Sequence, residues 1–128
     1  MKILIVEDDP DARKVLSLIL KLDGFDVAVA PNGEEALQLL LESRPDLVLL
    51  DVMMPEVDGY EVCSRIRANP ATAGIPIVML SGKVDPDSVA RGRAAGANEF
   101  LAKPIKPSNL TKQLHTTIMR NVAHAFVP

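Results

Sequence analysis

Polar and apolar positions fall into alternating blocks along the chain. Five short runs, "KILIV" (2–6), "FDVAVA" (25–30), "DLVLL" (46–50), "IPIVML" (75–80) and "NEFLA" (98–102), are separated by longer stretches whose apolar residues recur at three- and four-residue spacing. Short runs alternating with helical period describe an α/β protein with a parallel sheet. The first, third and fourth runs are apolar throughout and belong at the centre of the sheet, covered on both faces; the second and fifth are mixed and suit its edges.

Helix starts are marked between the runs. Asp9-Pro10 and Asp85-Pro86 each read as a cap followed by proline at the first helical position, and Asn32 with Glu35 three residues on reads as a cap with capping-box support. A third helix is expected over 58–67 and a fifth from 107 to about 122, the latter with Leu110, Leu114, Ile118 and Val122 at four-residue spacing. In the first helix Ala12, Val15, Leu16, Ile19 and Leu22 share a face, and in the second Ala36, Leu37, Leu40 and Leu41 do; both stripes are expected in the core.

Composition narrows the class. The 128 residues suffice for about one domain with a single core, and 48% apolar with 24% charged residues is ordinary globular usage, which excludes disordered and fibrous chains. A formal net charge of −3 offers no electrostatic footprint for nucleic acid or an anionic membrane, so direct contact with either is not expected. The single cysteine, Cys63, excludes an internal disulfide and is expected as a small buried hydrophobe. Apolar runs such as "VLSLIL" are too short to span a membrane, and "MKILIVEDD" turns acidic too early for a signal peptide, so a cytoplasmic protein is expected.

The chemistry gathers at the strand ends. In an open parallel sheet, ligands bind beyond the carboxyl ends of the strands. Glu7 and Asp8 follow the first run, Asp51 the third, Ser81 the fourth and Lys103 the fifth. Three carboxylates on one rim repel one another unless a cation joins them, and hard oxygen donors without cysteine or suitably spaced histidine favour Mg²⁺. A lysine and a hydroxyl beside such an ion can bind phosphoryl oxygens, and a carboxylate can act as a nucleophile that forms an aspartyl phosphate. Asp51, in the middle of the rim, is the natural acceptor.

The segments "ILIVEDDP", "LVLLDVMMPEVDGYE", "IVMLSGK" and "AGANEFLAKPI" resemble, in order and spacing, the signature segments of CheY-like receiver domains of two-component response regulators. The resemblance covers about residues 2–122 and implies a flavodoxin-like, doubly wound (βα)5 fold with strand order 2-1-3-4-5, a receiver over 1–122 and a tail over 123–128. It implies that Asp51 takes a phosphoryl group from a histidine kinase or histidine phosphotransfer protein. It further implies Mg²⁺ held by Asp8 directly, by Glu7 through water, by Asp51 and by the backbone carbonyl of Met53, with Asp9 left as the helix cap. Lys103 matches the lysine that pairs with the phosphoryl group, and its bond to Pro104 is cis in the family. Ser81 and Phe100 match the hydroxyl and aromatic switch positions, which reshape the face of the fourth helix, fifth strand and fifth helix for a downstream effector. Met53 and Lys83 match the positions that tune the lifetime of the aspartyl phosphate, and Pro55 and Gly59 fit the turn before the third helix. Such a receiver is not an enzyme in its own right; it promotes only its own phosphorylation and dephosphorylation.

Some positions depart from the family pattern. Phe100 lacks the hydroxyl of the more usual tyrosine. Asn98 and Gln113 stand where receivers of the winged-helix transcription-factor type place an aspartate and an arginine that pair across a dimer. Other readings fare worse: no glycine-rich dinucleotide fingerprint follows the first strand, "SGKV" lacks the glycine and hydroxyl residue of a phosphate loop, and an aspartyl-phosphate hydrolase would place a DxD motif where this chain has "EDDP". The sequon at Asn109 has no secretory context. A receiver that only scaffolds would be expected to have lost an acidic or lysine position, and none is lost. His115 and His124 read as ordinary helix residues.

Overall fold

The computed structural model describes residues 1–54 and 56–125, with side chains through residue 121. Five strands alternate with five helices: β1 (Lys2–Val6), α1 (Pro10–Leu22), β2 (Asp26–Ala30), α2 (Gly33–Glu42), β3 (Leu47–Asp51), α3 (Gly59–Ala68), β4 (Ile77–Ser81), α4 (Pro86–Ala95), β5 (Glu99–Ala102) and α5 (Pro107–Ala125). The strands are all parallel and ordered β2-β1-β3-β4-β5, with the wholly apolar runs in the middle as their composition requires.

Because side chains alternate across a strand, each face of the sheet meets its own helices. Ile3, Ile5, Leu47, Leu49, Val78 and Leu80 lie with Leu20 of α1 and with Leu110, Leu114 and Ile118 of α5. Leu4, Val6, Val48, Leu50, Ile77 and Met79 lie with Ala36 and Leu40 of α2 and with Val62, Cys63 and Ile66 of α3. The Cys63 thiol is buried, donates to the carbonyl of Ala95 at 3.3 Å and is pushed by burial up to about 11, so it is a core group and not a nucleophile. Among the described residues no helix is long and apolar enough to cross a membrane.

The helix starts follow the expected chemistry. Asp9, Asn32, Asp58 and Asp85 each accept a backbone N–H of the helix they precede, at 3.2, 2.9, 2.9 and 3.0 Å. The third and fourth strands run one residue further than their apolar runs, so Asp51 and Ser81 are the last residues within strands, paired with Leu80 and Ala102. Hydrogen bonds from Val52 N–H to Leu80 O (3.1 Å) and from Lys103 N–H to Ser81 O (2.8 Å) carry the ladder past both.

The apolar stripe of α1 differs from expectation. Val15 and Leu22 are exposed at 57% and 79%, while Leu20, outside the expected stripe, is fully buried. Among the described residues α1 and α5 cover this side of the sheet, and α1 touches it along a narrow line through Leu16 and Leu20, while the rest of its wide apolar arc faces outward. Leu41 of α2 is likewise exposed, for the same reason that a helix on a sheet buries one line of residues. The backbone of α5 is helical through Ala125, past residue 122. Pro55, the side chains of Val122 and His124, and residues 126–128 lie outside the described residues.

Candidate functional site

The carboxyl ends of the strands bring Glu7, Asp8, Asp51, Ser81 and Lys103 to one rim. The Lys103 ammonium donates to Glu7 Oε1 at 3.2 Å and to Asp51 Oδ1 at 3.1 Å, bridging the ends of β1 and β3. Glu7, Asp8 and Asp51 each offer a carboxylate oxygen, and these oxygens lie within 4.8 Å of one another. Glu7 and Asp51 are buried, while Asp8 is partly exposed.

Three carboxylates against one ammonium leave two negative charges uncompensated if all are ionised. The effect falls on Glu7: burial first, then the neighbouring Asp51 carboxylate, push its carboxyl up to about 8, with Lys103 opposing but not cancelling. Burial also works against the charge on Lys103, yet Asp51 and Glu7 outweigh it and hold the ammonium above its ordinary range. Among the described residues, Glu7 Oε2 is buried with no hydrogen-bond partner. An orphaned carboxylate oxygen beside two further hard oxygen donors fits a small divalent cation with oxygen preference, and among the described residues the cluster is made of carboxylates alone.

Other expected residues surround this centre. The Ser81 side chain is buried and its Oγ accepts the Lys83 N–H at 3.0 Å, which leaves the hydroxyl proton available. Met53 is 65% exposed and Lys83 is exposed, so both flank the rim from solvent. The Lys103–Pro104 bond is cis. Phe100 is half-buried, its ring set against Gly92 of α4. Gly59 donates its N–H to Val52 O at 3.0 Å and sits hard against the backbone of Asp51.

The sequence reading passed over several participants. Arg13 donates from Nη1 to the backbone carbonyl of Glu7 at 2.9 Å. A cation near the N-terminus of a helix is opposed by the helix dipole, and that oddity was the available signal. Arg67 spends its donors on the carbonyls of Ala73, Ile75 and Gly96 and on Asn98 Oδ1, which also accepts the Ile77 N–H at 2.8 Å. Asn98 is thus occupied inside its own chain, and Gln113 reaches Thr117 at 3.4 Å. His115 is more than a surface helix residue: its Nε2 lies 2.8 Å from Asp23 Oδ2 and its ring lies on Phe25.

Comparison with known proteins places this geometry in a family context. Residues 3–115 match the family model described as the response regulator receiver domain. The chain is 42% identical over 120 residues to the DNA-binding response regulator MtrA of Mycolicibacterium smegmatis, covering 94% of this chain and 51% of that protein. It is 41% identical over 118 residues to the transcriptional regulatory protein AfsQ1 of Streptomyces coelicolor, covering 92% and 51%. It thus spans about half the length of these relatives. Among solved structures, the chemotaxis protein CheY4 of Vibrio cholerae superposes with a TM-score of 0.87 at 34% identity, covering 91% of this chain and 97% of that one.

Proposed function

Because the chain belongs to the response regulator receiver domain family, we propose that Asp51 accepts a phosphoryl group from the phosphohistidine of a histidine kinase or histidine phosphotransfer protein. The observation that carries this reading is the Lys103 ammonium held between Glu7 and Asp51 on a rim of carboxylates. A carboxylate oxygen of Asp51 attacks phosphorus, an O–P bond forms, the N–P bond of the donor breaks, and its electron pair returns to the leaving imidazole. Asp8, Asp51 and the Met53 carbonyl, with Glu7 through water, would hold Mg²⁺, which would supply positive charge to the phosphoryl oxygens. Lys103 keeps Asp51 aimed before transfer and pairs with a phosphoryl oxygen after it.

The output runs through Ser81 and Phe100. Drawing the Ser81 hydroxyl toward a phosphoryl oxygen moves the end of β4, and Phe100, wedged against Gly92, transmits the change to the surface of α4, β5 and α5. This is a population shift between two packings. The surface serves a downstream effector domain or protein; the receiver makes no direct nucleic-acid contact and works in the cytoplasm, with 1–122 as the functional unit and 123–128 as its tail. The relative named as DNA-binding is longer, and this chain covers 51% of it.

The test is intact-mass measurement after incubation with a small phosphodonor such as acetyl phosphate. One added phosphoryl group is expected in the presence of Mg²⁺, little in its absence, and none on Asp51→Asn at the wild-type rate.

A further inference from the structure

We infer that Arg13 is a positioning residue for the cation site, holding the backbone that aims Asp8; this rests on the reading of the acidic rim as a Mg²⁺ site. The geometry begins where β1 leaves the sheet. Its pairing with β2 and β3 ends at Val6, opposite Ala30 and Leu50. Beyond it, Glu7 N–H still reaches Ala30 O at 3.1 Å. The Glu7 carbonyl has left the ladder, and the donor that serves it is the Arg13 guanidinium, at 2.9 Å.

That carbonyl belongs to the peptide joining Glu7 to Asp8, so fixing it fixes the direction in which Asp8 departs from the strand. The side-chain contacts do not do this: Lys103 engages Glu7 and Asp51, not Asp8. Asp8 is partly exposed, so with a free peptide plane it could turn toward water. The Arg13 backbone is itself anchored in the first turns of α1, its N–H donating to Asp9 O at 2.9 Å. The ring closed between Glu7 and Arg13 therefore locks the loop to the helix. Glu7 Oε2, buried and unpartnered, supplies the other half of the site. Partners of this kind, one step removed from a metal, change affinity by about 10- to 100-fold when lost.

The experiment is calorimetric titration of Mg²⁺ into wild type, Arg13→Met, Arg13→Lys, Asp8→Asn and the Arg13→Met, Asp8→Asn double variant, with urea melts of each. Arg13→Met should weaken Mg²⁺ binding by about tenfold or more, and Arg13→Lys, which keeps an N–H donor, should recover part of it. In the Asp8→Asn background, loss of Arg13 should cost no further affinity, a coupling that a merely structural role would not produce. If Arg13→Met does not fold, the comparison moves to Arg13→Lys and Arg13→Gln, where the weaker donor must bind Mg²⁺ less tightly. Mg²⁺ binding by Arg13→Met equal to wild type, or an equal loss with and without Asp8, overturns the role of Arg13. Failure of wild type to bind Mg²⁺ in an Asp51-dependent manner overturns the cation site itself.

Discussion

A β-carbon on Gly59 would lie 2.6 Å from the carbonyl oxygen of Asp51. The start of α3 is therefore seated directly on the backbone of the candidate acceptor, and no side chain fits between them. Gly59→Ala should destabilise the fold by about 2 kcal/mol through overpacking. It should also slow phosphorylation from a small donor, because relief can come only by shifting Asp51 or α3. Urea melts and intact-mass time courses check both effects.

Glu7 makes apo stability depend on pH with an unusual sign. Its carboxyl is raised from 4.5 to about 8 by burial and then by Asp51, so the folded state holds a proton that the unfolded state has released. The stabilisation is fully present below about 4.5 and is lost as pH rises through about 8. In metal-free buffer, stability should fall across this window. Glu7→Gln should flatten the fall, and Mg²⁺ should shift the balance by binding the ionised form. Denaturant melts across pH, with and without Mg²⁺, measure this; a wild-type curve parallel to that of Glu7→Gln would count against it.

Gly92 and Phe100 form a second tight contact. A β-carbon at Gly92 would meet the Phe100 ring at 2.6 and 2.8 Å and the Met79 sulfur at 3.2 Å. Gly92→Ala should displace the ring, cost about 1–3 kcal/mol, and alter amide exchange in α4 and β5 before any phosphorylation. Adding Phe100→Leu should restore part of the stability, because the smaller side chain yields to the new methyl group.

Met53 and Lys83 bear on the lifetime of the phosphorylated state. Both are exposed beside the rim, and neither a thioether nor an ammonium can orient water as a carboxamide or carboxylate acceptor does. The aspartyl phosphate should hydrolyse slowly, and a Met53→Asn, Lys83→Glu variant should lose it faster. Decay followed by intact mass in Mg²⁺ decides, with equal rates refuting the proposal.

The fold was legible because wholly apolar runs have only one place in a parallel sheet, between covered faces, and "KILIV", "DLVLL" and the run ending at Leu80 occupy it. The rim was legible because parallel strands deliver their carboxyl ends to one side, so Glu7, Asp51, Ser81 and Lys103 had to converge. The phase of α1 was not legible. Its apolar arc is wider than the line it buries on the sheet, so the pattern alone does not say that Leu20 turns inward and Val15 does not. Arg13 with Glu7, Arg67 with Asn98, and Gly92 with Phe100 were hidden for the same reason: each is a meeting of elements whose approach is set by tertiary packing.

The bridge from Lys103 to Glu7 spans 96 residues of chain. During synthesis the acidic pair and Asp51 emerge well before the lysine that offsets them. A chain folded only through β3 would carry its carboxylates together without a counterion, and closing β5 onto β4 brings the ammonium last. Contacts this remote in sequence are slow to form. Under the proposed function, a chain clipped before Lys103 should accept a phosphoryl group poorly, because the ammonium that holds Asp51 comes only with the last strand of the sheet.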